Sequence, residues 1–436
     1  MRAGHPTFRE AFQFWLKLGF ISFGGPAGQI AIMQHELVER KKWIGQDRFL
    51  HALNFCMLLP GPEAQQLAIY CGWLLHRTWG GIVAGVLFVL PSAFLLWALS
   101  YVYVAYGAVP WIAAIFYGLK PAVMAIVVAA VLRIGKKALK NEVMWAIAAA
   151  AFGLIFFLKT PFPAIVFGAA ALGFAGGRFV PGKFVFTSGH GGGASADGGR
   201  AVIDDAAENA SVKPGWSRAL RVIAVCGGLW AAPIVAIGCW QGWSGTLAQE
   251  GLFFSKAAMV TFGGAYAVLP YVAQQAVDHF GWLSAPQMLD GLAFAETTPG
   301  PLIMVLQFVG FMGGFGHPGG LSPLMAATLG AALTTWVTFV PCFLWIFLGA
   351  PHIEQLRGRK LLTAALGAVT ASVVGVILNL AVWFGWRVIS PANGPLDAFA
   401  IVVGAAAFVA LHRFKVNLIA VIVASGALGL AWSLAK

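Results

Sequence analysis

Phe23-Gly24-Gly25, Trp43 and Pro60-Gly61-Pro62 return as Phe262-Gly263-Gly264, Trp282 and Pro299-Gly300-Pro301, each 239 positions further along the chain. One offset shared by three separate motifs marks an internal duplication. The repeated words are helix breakers, because glycine visits backbone angles closed to other residues and proline lacks an amide hydrogen. Here they interrupt strongly apolar stretches, and that combination decides the fold.

Around these words, 59% of the 436 residues are apolar, only 10% are charged, and the mean hydropathy is +0.81. A water-soluble domain has no interior large enough for that much apolar surface. Runs of about 20 apolar residues, enough to cross roughly 30 Å of hydrocarbon, recur along nearly the whole chain. The expected fold is an all-α polytopic membrane protein with about 13 transmembrane segments in two homologous halves of inverted topology, carrying broken helices. Spans are predicted near 11–33, 50–75, 80–105, 109–133, 143–158 and 163–180, then near 218–241, 248–272, 287–313, 320–348, 360–386, 396–411 and 416–434. The first run is interrupted by Phe23-Gly24-Gly25-Pro26 and reads as a span, not a cleaved signal peptide.

The stretch from Thr187 to Val212, with Gly191-Gly192-Gly193 and Asp204-Asp205, has no apolar periodicity and reads as a mobile linker. The expected organisation is an N-terminal repeat over 1–186, a linker over 187–217, an extra connecting span within 218–246 and a C-terminal repeat over 247–436. Span 218–241 has no counterpart in the first half, so seven crossings separate the two copies, and an odd number inverts the second. Pro91 pairs with Pro341 at an offset of 250, eleven more than 239, an insertion assigned to the glycine-rich Gly313–Gly320 segment.

Positive charge sets the orientation. With a cytoplasmic N-terminus, 18 of the 28 basic residues fall on inside segments, seven outside, and three (Lys17, Lys120, Lys256) within spans. The discordant group is Arg40, Lys41, Lys42 and Arg48, which lands outside unless the broken first span is re-entrant. The net charge of +12 is then orientation signal and lipid contact, and no nucleic-acid partner is expected. Cys56, Cys71, Cys226, Cys239 and Cys342 lie in apolar runs without CxxC spacing and read as small buried hydrophobes. No metal site or cofactor is expected.

A broken helix in a membrane frees backbone N–H and C=O groups, tolerated only where protein or a polar cavity satisfies them. Half-helices that restart after Gly24-Gly25, Gly61-Pro62, Gly263-Gly264 and Gly300-Pro301 aim amide donors and a positive dipole end into such a cavity, where an anion is the natural guest. Paired broken helices in inverted halves are also how secondary transporters build a midplane site. The alternative is packing glycines and kink prolines, common in membrane helices. Phe23, Pro26, Pro60, Phe262, Pro299 and Pro301 flank the breaks and complete the candidate binding set. Lys17 and Lys256, again 239 apart, each precede their glycine pair by seven residues, close to two helical turns. They are candidate anion ligands or lysines snorkelling to the interface. Lys120, beside Pro121 in mid-span, is harder to explain by snorkelling and has no lysine at the matching place. Glu63 follows Pro60-Gly61-Pro62 directly, either as a helix-start acid or as a carrier of a coupled proton or ion, with Gln29, Asn54, Gln65 and Gln66 as neutral hydrogen-bonding groups. Glu296 is the corresponding acid of the second half.

Phe23-Gly24-Gly25-Pro26-Ala27-Gly28-Gln29-Ile30, Leu59-Pro60-Gly61-Pro62-Glu63-Ala64-Gln65-Gln66-Leu67-Ala68, and the later Phe262-Gly263-Gly264 with Thr298-Pro299-Gly300-Pro301 resemble the chromate ion transporter family in its long duplicated form. The resemblance covers nearly the full chain. It implies efflux of chromate across the bacterial cytoplasmic (inner) membrane, conferring resistance, with sulfate as isosteric competitor and proton motive force as driver. The substrate would be a chromate or sulfate dianion, the surroundings a lipid bilayer, and a homodimer is allowed for. A sulfate or other oxyanion uptake carrier or channel stays open beside it, since the same donors cradle either anion. An embedded reductase would need a redox cofactor site or catalytic constellation, and none is visible in the sequence; a scaffold would carry no solute flux.

Overall fold

The computed structural model describes residues 5–23, 25–184, 215–262, 264–351, 360–391 and 394–435. Gly24, Gly263 and the Thr187–Val212 stretch lie outside the described residues. Regular structure among the described residues is helical: α1 (Phe8–Ile21), α2 (Gly25–Gln34), α3 (Gln46–Cys56), α4 (Glu63–Tyr106), α5 (Pro110–Ala138), α6 (Glu142–Leu158), α7 (Phe162–Phe179), α8 (Pro181–Phe184), α9 (Trp216–Gln241), α10 (Thr246–Met259), α11 (Ala265–Ala273), α12 (Ala285–Thr297), α13 (Val305–Gly316), α14 (Pro323–Gly349), α15 (Lys360–Ile389), α16 (Ala398–His412) and α17 (Leu418–Ala435). Seven of these, α4, α5, α7, α9, α14, α15 and α17, are long and apolar enough to cross a membrane. Starts follow local chemistry: Thr7 with Glu10 and Ser284 with Gln287 form capping boxes on α1 and α12.

The four motif-bearing runs differ from the single spans read for them. Each is two short helices, and in each the chain turns back. After the break at Ser22–Gly25, α2 and a π-helical turn (His35–Arg40) add ten and six residues, about 24 Å of helix. Continued straight, they would carry Trp43 far beyond α1; instead its ring lies 5.8 Å from Phe14 in mid-α1. The second half repeats this. A π-helical turn occupies Gln274–His279, 239 residues after the first, and Trp282 lies 5.7 Å from Phe253. Between α3 and α4, which pack on each other, the Arg48 guanidinium lies near the Tyr70 hydroxyl across the Pro60-Gly61-Pro62 break. Between α12 and α13, Gly291 packs so tightly on Phe308 that a Cβ there would sit 2.3 Å from the ring. Apolar continuity along the sequence conceals these reversals, because both arms of each hairpin are apolar.

A further reversal divides α4 at His76 and Arg77, where Arg77 takes φ 53°. The arms meet through glycines: a Cβ on Gly72 would fall 2.3 Å from the Gly80 carbonyl oxygen, and one on Gly80 would fall 2.2 Å from that of Gly72. In the second half α13 and α14 form the same hairpin, with Gly314 against Ala326 and Gly310 against Gly330. Its turn runs from His317 to Ser322, where the first half needs only two residues, and the insertion lies there and in the start of α14. α9 packs on α10 and α14 through Trp230 Nε1 to Ser255 Oγ (3.1 Å) and Trp336 Nε1 to the Leu229 carbonyl (2.7 Å). Four cysteines are buried, but Cys239 is exposed on α9, which turns most of its surface outward.

Packing through glycine backbones makes a specific demand. Gly72→Leu must separate the arms of α4 and is expected to cost about 3 kcal/mol, read as a large fall in the melting temperature of the detergent-solubilised protein. Gly153→Leu, where a Cβ would meet nothing within 4 Å, is expected to leave the melting temperature unchanged.

Candidate functional site

The four hairpin tips meet. Gly61 N–H donates to the Thr261 carbonyl at 2.8 Å, and Gly300 N–H donates to the Ser22 carbonyl at 2.8 Å. Donor and acceptor in one bond are related to those in the other by the 239-residue offset, so each half gives and receives the same bond. The backbone supports the exchange with left-handed angles at Gly61 (φ 115°) and Gly300 (φ 109°), and at Gly25 (φ 69°) and Gly264 (φ 97°). Ser22 and Thr261 turn their hydroxyls back onto the Leu18 and Ala257 carbonyls, both at 2.6 Å. Gly61 sits against Cys342 of α14, and Gly300 against Ser92 of α4, each residue following the paired prolines Pro91 and Pro341.

The predicted residues divide into three groups. Gly25, Gly61, Pro62, Gly264, Pro299, Gly300 and Pro301 lie at the tips, with Phe23, Pro26, Pro60 and Phe262 partly exposed around them. Gln29 and Gln66 brace the tips: the Gln29 amide donates to the Gly300 (2.5 Å) and Ser22 (3.3 Å) carbonyls, and that of Gln66 to the Pro60 carbonyl at 2.7 Å. Gln65 is buried against the second arm of α4, donating to the Gly85 carbonyl at 3.4 Å. Lys17, Lys256 and Asn54 lie on exposed positions of α1, α10 and α3. On α1 and α10 the packed face is taken by Phe14, Trp15 and Leu18 and by Phe253, Phe254 and Ala257, leaving the lysines opposite. Among the glycine amides expected to face an anion, those of Gly61 and Gly300 are spent on joining the halves.

The two candidate coupling acids lie at the tips. A Cβ on Gly264 would sit 3.7 Å from Glu63 Oε1, so the carboxylate of one half reaches the break of the other. Glu296, at the end of α12, accepts a hydrogen bond from the buried Tyr266 hydroxyl of α11. Lys120 lies away from the tips, on a cavity of about 550 Å³ bounded by Gly107, Gly281–Ser284 and Phe315–His317. There Lys120 Nζ is 3.9 Å from Asp290 Oδ2, which also accepts from the Tyr103 hydroxyl at 2.9 Å. Sequence reasoning missed Asp290, Tyr103, Tyr266 and the fully buried Glu250. An acid inside an apolar run, as in Leu289-Asp290-Gly291-Leu292, is a signal in its own right. No group of three or more metal-ligating side chains occurs among the described residues.

Helical hairpins meeting tip to tip, among seven helices long and apolar enough to cross a membrane, define a polytopic membrane protein. The chromate transporter family model matches residues 9–174 and 248–430, and the chain belongs to that family. It is 32% identical over 438 residues to a chromate transport protein of Pseudomonas aeruginosa, covering 97% of this chain and 92% of the relative. It is 29% identical over 377 residues to a chromate transport protein of Cupriavidus metallidurans, covering 85% of this chain and 81% of the relative. An uncharacterized transporter of Bacillus subtilis is 27% identical over 173 residues, which are 39% of this chain but 96% of that protein. No solved structure matches the chain.

The tip contacts carry a test. Gly300→Ala places a Cβ 2.4 Å from that of Ser92 on a backbone with positive φ, and is expected to cost about 1–3 kcal/mol and most of the activity. Gly61→Ala, whose Cβ would meet the Cys342 sulfur at 3.0 Å, is expected to be milder. Adding Ser92→Gly to Gly300→Ala should recover part of the melting temperature, because it removes the clash and leaves the backbone strain.

Proposed function

We propose that the protein is a secondary active transporter that exports chromate from the bacterial cytoplasm by alternating access, with sulfate as competing oxyanion. The observation that carries this reading is the reciprocal exchange between the Gly61 and Gly300 tips. Chromate and sulfate are tetrahedral dianions that accept several hydrogen bonds. The first turns of α2, α4 and α11 begin at these tips, and each has N–H groups without an intrahelical partner. Family membership and the names of the Pseudomonas and Cupriavidus relatives point to the same substrate.

Alternating access needs two units of opposite orientation about one site. In this reading the four motif-bearing hairpins are re-entrant, and the crossings are the second arm of α4 with α5, α6, α7, α9, α14, α15, α16 and α17. Five of them precede α10, so the second half is inverted. Matched π-helical turns, matched glycine conformations and the half-length Bacillus relative support treating 1–186 and 247–436 as the two units. Re-entrance also returns Arg40, Lys41, Lys42 and Arg48 to the N-terminal face, giving 22 of the 28 basic residues there and three opposite. That bias supports a cytoplasmic N-terminus in the inner membrane. Moving a dianion outward across an inside-negative potential of 100 mV, down the electrical gradient, releases about 4.6 kcal/mol, twice the value for one charge. The electrical part of the proton motive force therefore favours export.

The test is counterflow in proteoliposomes. Labelled chromate is expected to accumulate against trapped sulfate or chromate and not against chloride. Exclusive transport of sulfate would reassign the substrate, and no flux of either oxyanion would remove the transport reading. Loss of the dependence of flux on a pH gradient in Glu63→Gln, with chromate binding retained, would give Glu63 a coupling role; unchanged proton-coupled flux would remove Glu63 from coupling. Lys17→Ala with undiminished chromate affinity would assign that lysine to the interface.

A further inference from the structure

The cavity bounded by Gly107, Gly281–Ser284 and Phe315–His317 contains a charged pair made by the two halves together. Lys120 of α5 and Tyr103 of α4 come from the first half, and Asp290 of α12 from the second. Oδ2 of Asp290 takes both partners, with Lys120 Nζ at 3.9 Å and the Tyr103 hydroxyl at 2.9 Å. Oδ1 is buried with no hydrogen-bond partner among the described residues. The Asp290 side chain is 3% exposed, whereas that of Lys120 is 26% exposed to the cavity side.

The internal repeat serves as its own control. At the established offsets, Asp290 corresponds to His51 and Lys120 to Thr370. The first half builds the same hairpin from α3 and α4 without an ion pair at those positions, so the architecture does not require one. An intramembrane pair that the fold can do without is costly to keep unless it works.

We propose that Asp290 is a built-in stand-in for the substrate: an oxyanion dianion entering this cavity takes the place of the Asp290 carboxylate on Lys120, and Asp290 accepts a proton as it lets go. The site takes a small tetrahedral dianion, one proton accompanies it, and the empty protein is held shut at this end by a bridge between its halves. The proton goes to a carboxylate oxygen of Asp290, and no covalent bond other than that O–H forms. This rests on the oxyanion-transport reading and adds its entry site and proton carrier. The loaded protein gains one negative charge, not two, so an inside-negative potential still favours exit.

Other charges near Asp290 are few. Across the cavity, His317 at the end of α13 faces it. α17 contributes no charged side chain, α15 contributes Arg387, which is paired with Asp278 at 3.7 Å, and on α12 itself Glu296 is held by Tyr266. His317 is therefore the competing source of pH dependence, and a variant separates the two.

The experiment is equilibrium binding of radiolabelled sulfate to the purified full chain across neutral pH, where sulfate stays a dianion. Wild type is expected to bind more tightly as pH falls, approaching tenfold per pH unit for one linked proton. Asp290→Asn is expected to bind at least as tightly as wild type at its best, with no pH slope, because Lys120 is already free. Lys120→Gln is expected to bind weakly without a slope, and His317→Gln to keep the wild-type slope. A wild-type slope retained in Asp290→Asn overturns the proposal; where that variant does not fold, a wild-type slope in Lys120→Gln does so. Loss of the slope in His317→Gln moves the proton to His317 and also overturns it. Absence of both sulfate and chromate binding to wild type would instead remove the transport reading on which it stands.

Discussion

In hydrocarbon an unpaired peptide group has no water to turn to, and each costs several kcal/mol. A chain that breaks its helices four times within a membrane must therefore find partners for the freed groups inside itself. Here the partner of each half is the other half. Gly61 and Thr261 make one bond, Gly300 and Ser22 the other, and the Gln29 amide covers the carbonyls of Ser22 and Gly300. The breaks are affordable only in pairs, which explains why the motifs are duplicated together with their spacing. It also explains why the tips need glycine at positive φ and small neighbours such as Ser92 and Cys342.

On this symmetric frame the polar chemistry is distributed unevenly. Glu63 corresponds to Leu302, Glu296 to Met57, Tyr266 to Ala27, Glu250 to Ala11 and Asp290 to His51. The backbone of each half has been kept while the polar side chains differ: Glu63, Tyr266, Asp290 and Glu296 lie where the first half's α4 and α5 meet the second half's α11 and α12, and Glu250 of α10 lies against Gly313 and Gly330. In the proposed alternating-access reading, the duplicated scaffold supplies two-sidedness and the unequal side chains distinguish the two sides. Gly61, Gly300, Ser22 and Thr261, the same residue types or close equivalents at matching places, hold the halves together.

Much of this was legible before any coordinates. The 239-residue offset located the tips, the Pro91–Pro341 offset located the insertion, and the apolar runs located every long helix. What could not be read was the direction of the chain after each break. Apolar content reports that a segment lies in hydrocarbon and says nothing of whether it continues or returns, so α1 with α2, and α3 with the start of α4, read as single spans. The discordant Arg40 to Arg48 cluster was the one sequence feature that fits such a reversal, under the proposed orientation. Side-chain roles were harder still. Gln29 and Gln66 read as free hydrogen-bonding groups, but their amides are committed to tip carbonyls, and nothing in the spacing of Lys17 and Lys256 told that Phe14 and Phe253 would take the packed faces. Asp290 escaped notice because its partners, Lys120 and Tyr103, lie far away in the chain.

The central claim, two re-entrant units of opposite orientation, is most directly tested by sidedness. Asp47 and Pro286 are exposed residues related by the 239-residue offset, each at the outer turn of its hairpin pair, and Thr78 is exposed at the reversal within α4. In a cysteine-free background, Asp47→Cys, Thr78→Cys and Pro286→Cys are labelled in oriented membranes with an impermeant maleimide. Labelling of Asp47→Cys and Thr78→Cys from one face, and of Pro286→Cys from the other, is the predicted result. Labelling of Asp47→Cys and Thr78→Cys from opposite faces, or of Asp47→Cys and Pro286→Cys from the same face, would contradict it.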